Sequence, residues 1–142
     1  SEMCIRDRLH PHHEDTLLMM ATVLKKMERH EDADTCLVQL LERNPKHLEA
    51  WEERIDNMQA LEAHDQALIL LDNAFEHLPP TSTSLGYKQC VSLFALRLDG
   101  EALRLLDHLL MADFEGMNRL LETYPGLLDD PRVASRYTRM KP

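Results

Sequence analysis

A single 34-residue offset constrains this chain more than any other feature. Ala33 and Ala67 are separated by it, as are Pro45 and Pro79, Leu37 and Leu71, Leu17 and Trp51, and His30 and His64. Segments 14–47 and 48–81 can therefore be laid on each other without a gap. Such self-similarity marks stacked supersecondary units, none of which can bury its apolar face alone. Each segment carries two stripes of helical period. In the second, Leu48, Trp51, Ile55 and Met58 form one stripe and a break follows at Glu62-Ala63-His64-Asp65. Ala67, Leu68, Leu70, Leu71, Ala74, Phe75 and Leu78 form the other, stopped by Pro79-Pro80. In the first, Leu17, Met20, Ala21 and Leu24 lead through Arg29-His30-Glu31-Asp32 to Ala33, Leu37, Leu40 and Leu41. Asn44 is expected to cap the following helix, with Pro45 at its first position. Glu31, Asp32 and Asp65 stand where helix N-termini favour negative charge.

A third, degenerate unit covers 82–112. Thr81-Ser82-Thr83-Ser84 is a polar helix start, and Tyr87, Cys90, Val91, Phe94 and Leu98 make a first stripe. Asp99, expected as a cap, precedes a second stripe of Ala102, Leu105, Leu106, Leu109 and Leu110. Residues 113–142 read as C-terminal capping helices. Asp113 starts one that carries Phe114, Met117, Leu120 and Leu121, and Asp130-Pro131 starts another through Val133, Tyr137 and Met140. A helical stack needs a terminal unit with a polar outer face.

The residues at these positions resemble the tetratricopeptide repeat, a 34-residue helix–turn–helix. The second repeat supplies Trp51, Ala67, Leu71, Ala74 and Pro79; the first supplies Leu17, Ala21, Ala33, Leu37, Leu40 and Pro45. Ile55 stands where a small residue is usual, and Leu40 replaces the second Ala. In the third unit Cys90 and Ala102 take the small positions, and the terminal Pro is missing. The resemblance implies an all-α, right-handed superhelix, a tetratricopeptide-like solenoid with two clear repeats, one degenerate repeat and a cap. A second resemblance concerns the start of the chain. Met3-Cys4-Ile5-Arg6-Asp7-Arg8 is similar to a translated sequencing-library adapter. It implies that 1–13 are a non-native scar and linker on a fragment from a shotgun assembly, with the native N-terminus, upstream repeats or an upstream domain missing.

Composition narrows the function classes. Apolar residues make up 44% and aromatics 5%, which suits helices packed through Leu, Ala and Met better than a β-sandwich. The eight Met, apart from Met3, are expected mostly at core positions. With only four Gly the chain has little material for a phosphate-cradling loop. A net charge of -9 argues against nucleic acid, whose phosphates need a basic surface. Arg132, Arg136, Arg139 and Lys141 form a small basic end, read as a solvated face that complements a helix C-terminus. No apolar run approaches the ~20 residues of a membrane span. Three cysteines give no disulfide framework and no zinc quartet. Cys36 and Cys90 fall on apolar faces as inert thiols, a slight lean to a reducing, cytoplasmic setting.

No catalytic, cofactor or metal residue is expected. His10-Pro11-His12-His13 lacks the fixed geometry of a metal site. His30 and His64 share a turn position and are read as solvated, ~10 Å apart as stacked helices are. His30-Glu31-Asp32 and Asp129-Asp130 sit at helix starts and are read as caps. The chain carries none of the G-x-S-x-G, H-E-x-x-H or phosphate-loop patterns.

The resemblance instead implies a protein-interaction scaffold that binds a peptide or helix of another protein on a concave face lined by the first helix of each repeat. The candidates there are Leu18, Thr22 and Lys25 (with Asp15 and Lys26 alongside), then Glu49, Glu52, Asp56 and Gln59, then Tyr87, Val91 and Phe94 (with Ser84). Glu52 and Asp56 put negative charge mid-groove, unlike the Lys/Asn/Arg clamp by which some family members hold a C-terminal carboxylate. A basic or mixed-charge, partly apolar segment is therefore expected across Glu49, Glu52, Asp56, Tyr87 and Phe94. The alternatives are a docking tail of a larger enzyme and an oligomerisation unit that self-associates through an exposed repeat edge.

Overall fold

The computed structural model describes residues 12–142, all helical or connecting: eight α-helices and one 3-10 segment, with no strand among the described residues. The helices are α1 His12–Lys26, α2 His30–Arg43, α3 Leu48–Ala60, α4 His64–His77, α5 Thr83–Ala95, α6 Asp99–Ala112, α7 Phe114–Thr123 and α8 Pro131–Met140. The 3-10 segment Pro125–Asp129 joins the last two. Helices α1 to α6 form three antiparallel hairpins, and each hairpin packs on the next. This is the all-α solenoid expected from the period.

The turn inside each hairpin is built the same way three times. Glu28, Glu62 and Arg97 take left-handed φ values of 60°, 61° and 64°. One residue later the backbone N–H of Arg29, Ala63 and Leu98 donates to the carbonyls of Leu24, Met58 and Leu93 at 2.8, 2.8 and 2.9 Å. This six-residue closure satisfies carbonyls that a helix end leaves open, and glycine usually occupies its left-handed position. No turn here uses glycine, so each holds a side chain in a conformation that costs about 1–2 kcal/mol.

The connections between hairpins differ from the expected caps. Asn44 ends α2 rather than capping α3, and its Oδ1 accepts from the Lys46 N–H at 3.2 Å. His47 is the N-cap of α3, its Nδ1 accepting from Ala50 N–H at 3.2 Å. Pro45 lies outside the helix, in a turn closed by the His47 N–H on the Asn44 carbonyl at 3.1 Å, and its own carbonyl accepts the Trp51 indole N–H at 2.8 Å. Asp99 is the first residue of α6 rather than its cap, and its carboxylate receives Arg132 at 2.9 Å. Asp113 and Asp130 do cap α7 and α8, accepting from Gly116 N–H and Arg132 N–H.

Two apolar clusters fill the stack. The first joins α1 to α4 through Leu17, Leu37, Leu40, Trp51, Ile55 and Leu71, and reaches Leu85 of α5. The second joins α5 to α8 through Tyr87, Cys90, Leu106, Leu110, Met117 and Val133. Ala21, Ala33, Ala67, Ala74 and Ala102 are fully buried where small side chains let helices approach. Cys36 and Cys90 are both buried, and burial pushes the Cys90 thiol up to about 12. Methionine departs from expectation. Met19, Met20, Met27 and Met111 are exposed, so half of the eight stand outside the core.

Residues 1–8, His10 and Pro11 lie outside the described residues, as does the side chain of His12; His13 is half-buried at the start of α1. His30 and His64 are not the solvated turn residues expected. His64 Nδ1 is 3.1 Å from Ser92 Oγ on the next hairpin, and His30 Nδ1 is buried. No described helix is long and apolar enough to cross a membrane.

Candidate functional site

The first helices of the three hairpins, joined by α7, enclose a cleft of about 430 Å3 on one side of the stack. Each contributes residues that helical spacing places on one face. Lys25 comes from α1; Glu52, Asp56, Gln59 and Ala60 from α3; Ser84, Tyr87 and Lys88 from α5; Gly116, Arg119, Leu120 and Thr123 from α7, with Tyr124 just beyond it. Spacings of three and four residues recur within α3, α5 and α7, as one face of a helix requires.

Cross-helix bonds hold the walls. Lys88 Nζ meets Asp56 Oδ1 at 2.6 Å and ties α5 to α3. Gln59 donates from Nε2 to the Lys88 carbonyl at 2.8 Å and to Ser92 Oγ at 2.9 Å. On the far wall, Tyr87 donates its hydroxyl to the Asp113 carbonyl at 2.7 Å, and Thr83 donates to the Asp113 carboxylate at 2.8 Å. That carboxylate also receives Arg119 at 3.1 Å. Gly116 makes the approach of α7 feasible: a Cβ there would lie 2.5 Å from Cε2 of Tyr87.

Charge in the cleft is mixed rather than acidic. Burial raises the carboxyl of Glu52 above the ordinary range; Lys88 opposes this, Asp56 and Glu49 add to it, and a Ser84 hydrogen bond holds the charged form. Burial likewise raises Glu53, which Lys25 offsets most strongly and which Thr22 hydrogen-bonds. The Tyr124 phenol is raised by burial and by Asp56. Carboxylates, cationic heads and two phenol rings thus share one surface. Such a set pairs with peptide groups and with side chains of either sign.

The structure separates the residues that spacing alone grouped. Lys25, Glu52, Asp56, Gln59 and Tyr87 line the cleft together with Ser84. Gln59 is buried and committed to its bonds with α5, so its amide is part of the wall. Leu18 packs on the first apolar cluster, and Thr22 donates to the Leu18 carbonyl at 3.0 Å. Glu49 is exposed beyond the cleft. Val91 is buried, and Phe94 packs on the second apolar cluster. Neither of these two lines the cleft. Phe94 lines a second cleft of about 260 Å3 with Leu127, Arg132 and Val133, because the chain after α7 folds back over the end of α5. Lys88, Arg119, Leu120 and Tyr124 were not among the candidates. The spacing of Gly116, Leu120 and Thr123 on α7 was the available signal, since it copies a cleft-facing stripe.

With this geometry in place, comparison with known proteins decides the family. The family model described as the TT21 fifth ARM repeats domain matches residues 14–114. The chain belongs to that family. The match spans the three hairpins and the first residue of α7. Armadillo-type and tetratricopeptide-type stacks are both helical solenoids, and the 34-residue period is that of the tetratricopeptide type. No curated protein matches the chain in sequence. Among solved structures, the TPR2B-domain:pHsp70-complex of yeast Sti1 is similar at a TM-score of 0.63 and 14% identity, covering 90% of this chain and 95% of that one. At that identity the likeness speaks of the fold, a tetratricopeptide-like repeat scaffold.

Proposed function

We propose that the chain is a protein-interaction module whose four-helix cleft receives an extended or helical segment of another protein, with mixed charge and some apolar surface. The observation that carries this reading is the convergence of α1, α3, α5 and α7 on one cleft with both signs of charge and two tyrosines. Repeat scaffolds of this kind generally mediate protein–protein contact, and the similar yeast structure is itself a complex with pHsp70. Acidic and basic groups are paired in this cleft. Lys88 covers Asp56, so a partner's cation would meet Glu52 before Asp56, and a partner's anion would meet Lys25 or Arg119. Tyr124 and Leu120 supply apolar contact.

The test uses a peptide-display selection on the full chain, followed by titration of the selected peptides. Tyr124→Ala and Glu52→Lys should each weaken binding about tenfold or more, the range of a contact worth ~1.4 kcal/mol. The Glu52→Lys effect should shrink at high salt. Peptides that bind both variants as tightly as the parent would overturn the reading.

A further inference from the structure

We propose that the cleft reads an arginine side chain of the bound segment, with Glu52 as its counter-charge and the Tyr124 ring as the surface on which the guanidinium lies. This rests on the cleft being the partner site, and it names the residue that a partner must bring.

Glu52 is the charge that the cleft itself leaves unmatched. The cations that line it are Lys25, Lys88 and Arg119. Lys88 Nζ is committed to Asp56 at 2.6 Å, and Arg119 to Asp113 at 3.1 Å. Lys25 stabilises the carboxylate of Glu53. Glu52 shares the field of Lys88 with Asp56 and feels Glu49 as well, so one ammonium faces several carboxylates. Among the described residues no ion pair forms on Glu52 itself; its hydrogen bond comes from Ser84. What burial takes from this carboxylate exceeds what Lys88 and Ser84 return, since its carboxyl is held above the ordinary range. A further cation placed beside it is therefore held more strongly than one beside a solvated surface acid.

The neighbouring wall suits a guanidinium better than an ammonium. Tyr124 is half-buried just past α7 and lies in the field of the same Asp56 and Lys88. Leu120 stands one turn before it. A flat, weakly hydrated guanidinium can lie on a phenol ring while its N–H groups reach a carboxylate. An ammonium is a compact, strongly hydrated charge that gives up more water to enter. An acidic partner residue would face Glu52, Asp56 and Glu49 together and is repelled from this wall.

Peptide display on the full chain, with every peptide position randomised, tests this by what it enriches. Selected peptides should share one arginine, and replacing it with citrulline, its uncharged isostere, should weaken binding about tenfold. On Glu52→Gln, which can keep the Ser84 hydrogen bond, the same replacement should cost less than about twofold. Glu52→Arg should enrich aspartate or glutamate in place of the arginine. Arg119→Gln, on the far wall, should leave the arginine preference intact. Peptides that need Tyr124 yet share no arginine would overturn this inference and leave the cleft reading standing. So would an arginine whose loss costs as much on Glu52→Gln as on the parent. Failure to enrich any peptide would overturn both.

Discussion

Trp51 and Gly86 occupy the same place, the fourth residue of the first helix, in two successive hairpins. Trp51 is almost fully buried, donates its indole N–H to the Pro45 carbonyl and stacks on His77 with ring centroids 6.2 Å apart. Gly86 is buried because it yields: a Cβ there would stand 2.6 Å from a methyl of Leu109. In one hairpin the first helix supplies the bulk; in the next it makes room for bulk from the second helix. Density is kept and its source moves. The third hairpin looks degenerate by positional pattern, yet Leu85, Cys90, Leu106 and Leu110 are almost fully buried in it, and it also carries the α7 wall of the cleft.

The largest effect should come from breaking the tryptophan side of this comparison. Trp51→Ala should cost about 3–5 kcal/mol in urea unfolding, the range for a buried aromatic lost from a core. If the loss is under ~1 kcal/mol, the first interface does not depend on that ring. The glycine side is sharpened by Gly116→Ala, which places a methyl against the Tyr87 ring and near the Asp113 carboxylate. A loss of about 1–3 kcal/mol is expected, the usual cost of overpacking. Weaker cleft binding should accompany it, since α7 must retreat.

A third contrast lies between the hairpins. Ser92 of α5 is bonded to both Gln59 and His64. Its counterpart Asn57 on α3 is buried with neither side-chain atom partnered, and His30 Nδ1, the counterpart of His64 Nδ1, is unpartnered as well. Ser92→Ala should destabilise by about 1 kcal/mol, because it removes the partner of the half-buried His64 Nδ1 and one of the two acceptors of the Gln59 amide. Asn57→Leu should be neutral or stabilise by up to ~1 kcal/mol, because it removes a buried polar group that has no partner. Equal losses from the two changes would show that the junctions are satisfied alike. The smallest effect is expected where the hairpins agree. Glu28→Gly, Glu62→Gly and Arg97→Gly should each change the melting temperature by the equivalent of no more than ~1 kcal/mol, on the stabilising side, by relieving the left-handed turn. A clear loss at one turn would mean that its side chain holds the turn closed.

Much of this architecture is legible in the chain. Hairpin stripes follow from apolar residues three and four apart, and the 34-residue offset locates them twice. Asp113 and Asp130 read correctly as caps because capping is local, reaching two or three residues. Asn44 and Pro45 read incorrectly because the chain makes a turn over 44–47 first, and the His47 imidazole then takes the cap by accepting from the Ala50 N–H. The first-helix part of the cleft was partly legible: Lys25, Glu52, Asp56 and Tyr87 were placed from register alone. Val91 and Phe94 do not line the cleft; Phe94 faces residues 126–133, more than thirty positions away, which register within one helix does not show.

What the sequence determined by itself is therefore everything governed by short-range periodicity: helix spans, hairpin order, the fully buried alanines and the solenoid class. What the tertiary structure decided is which faces meet. The apolar stripe of α1 carries the same helical period whether it is buried or not, and only the stack shows that Met20 faces outward. Helix α7 reads like any amphipathic helix, and only its approach through Gly116 to Tyr87 makes it the fourth wall of the cleft. The reason is physical. A helix forms from contacts between residues three or four apart, but a cleft forms from the angles at which whole helices cross, and those depend on side-chain volumes at positions such as 51, 86 and 116 summed over several hairpins.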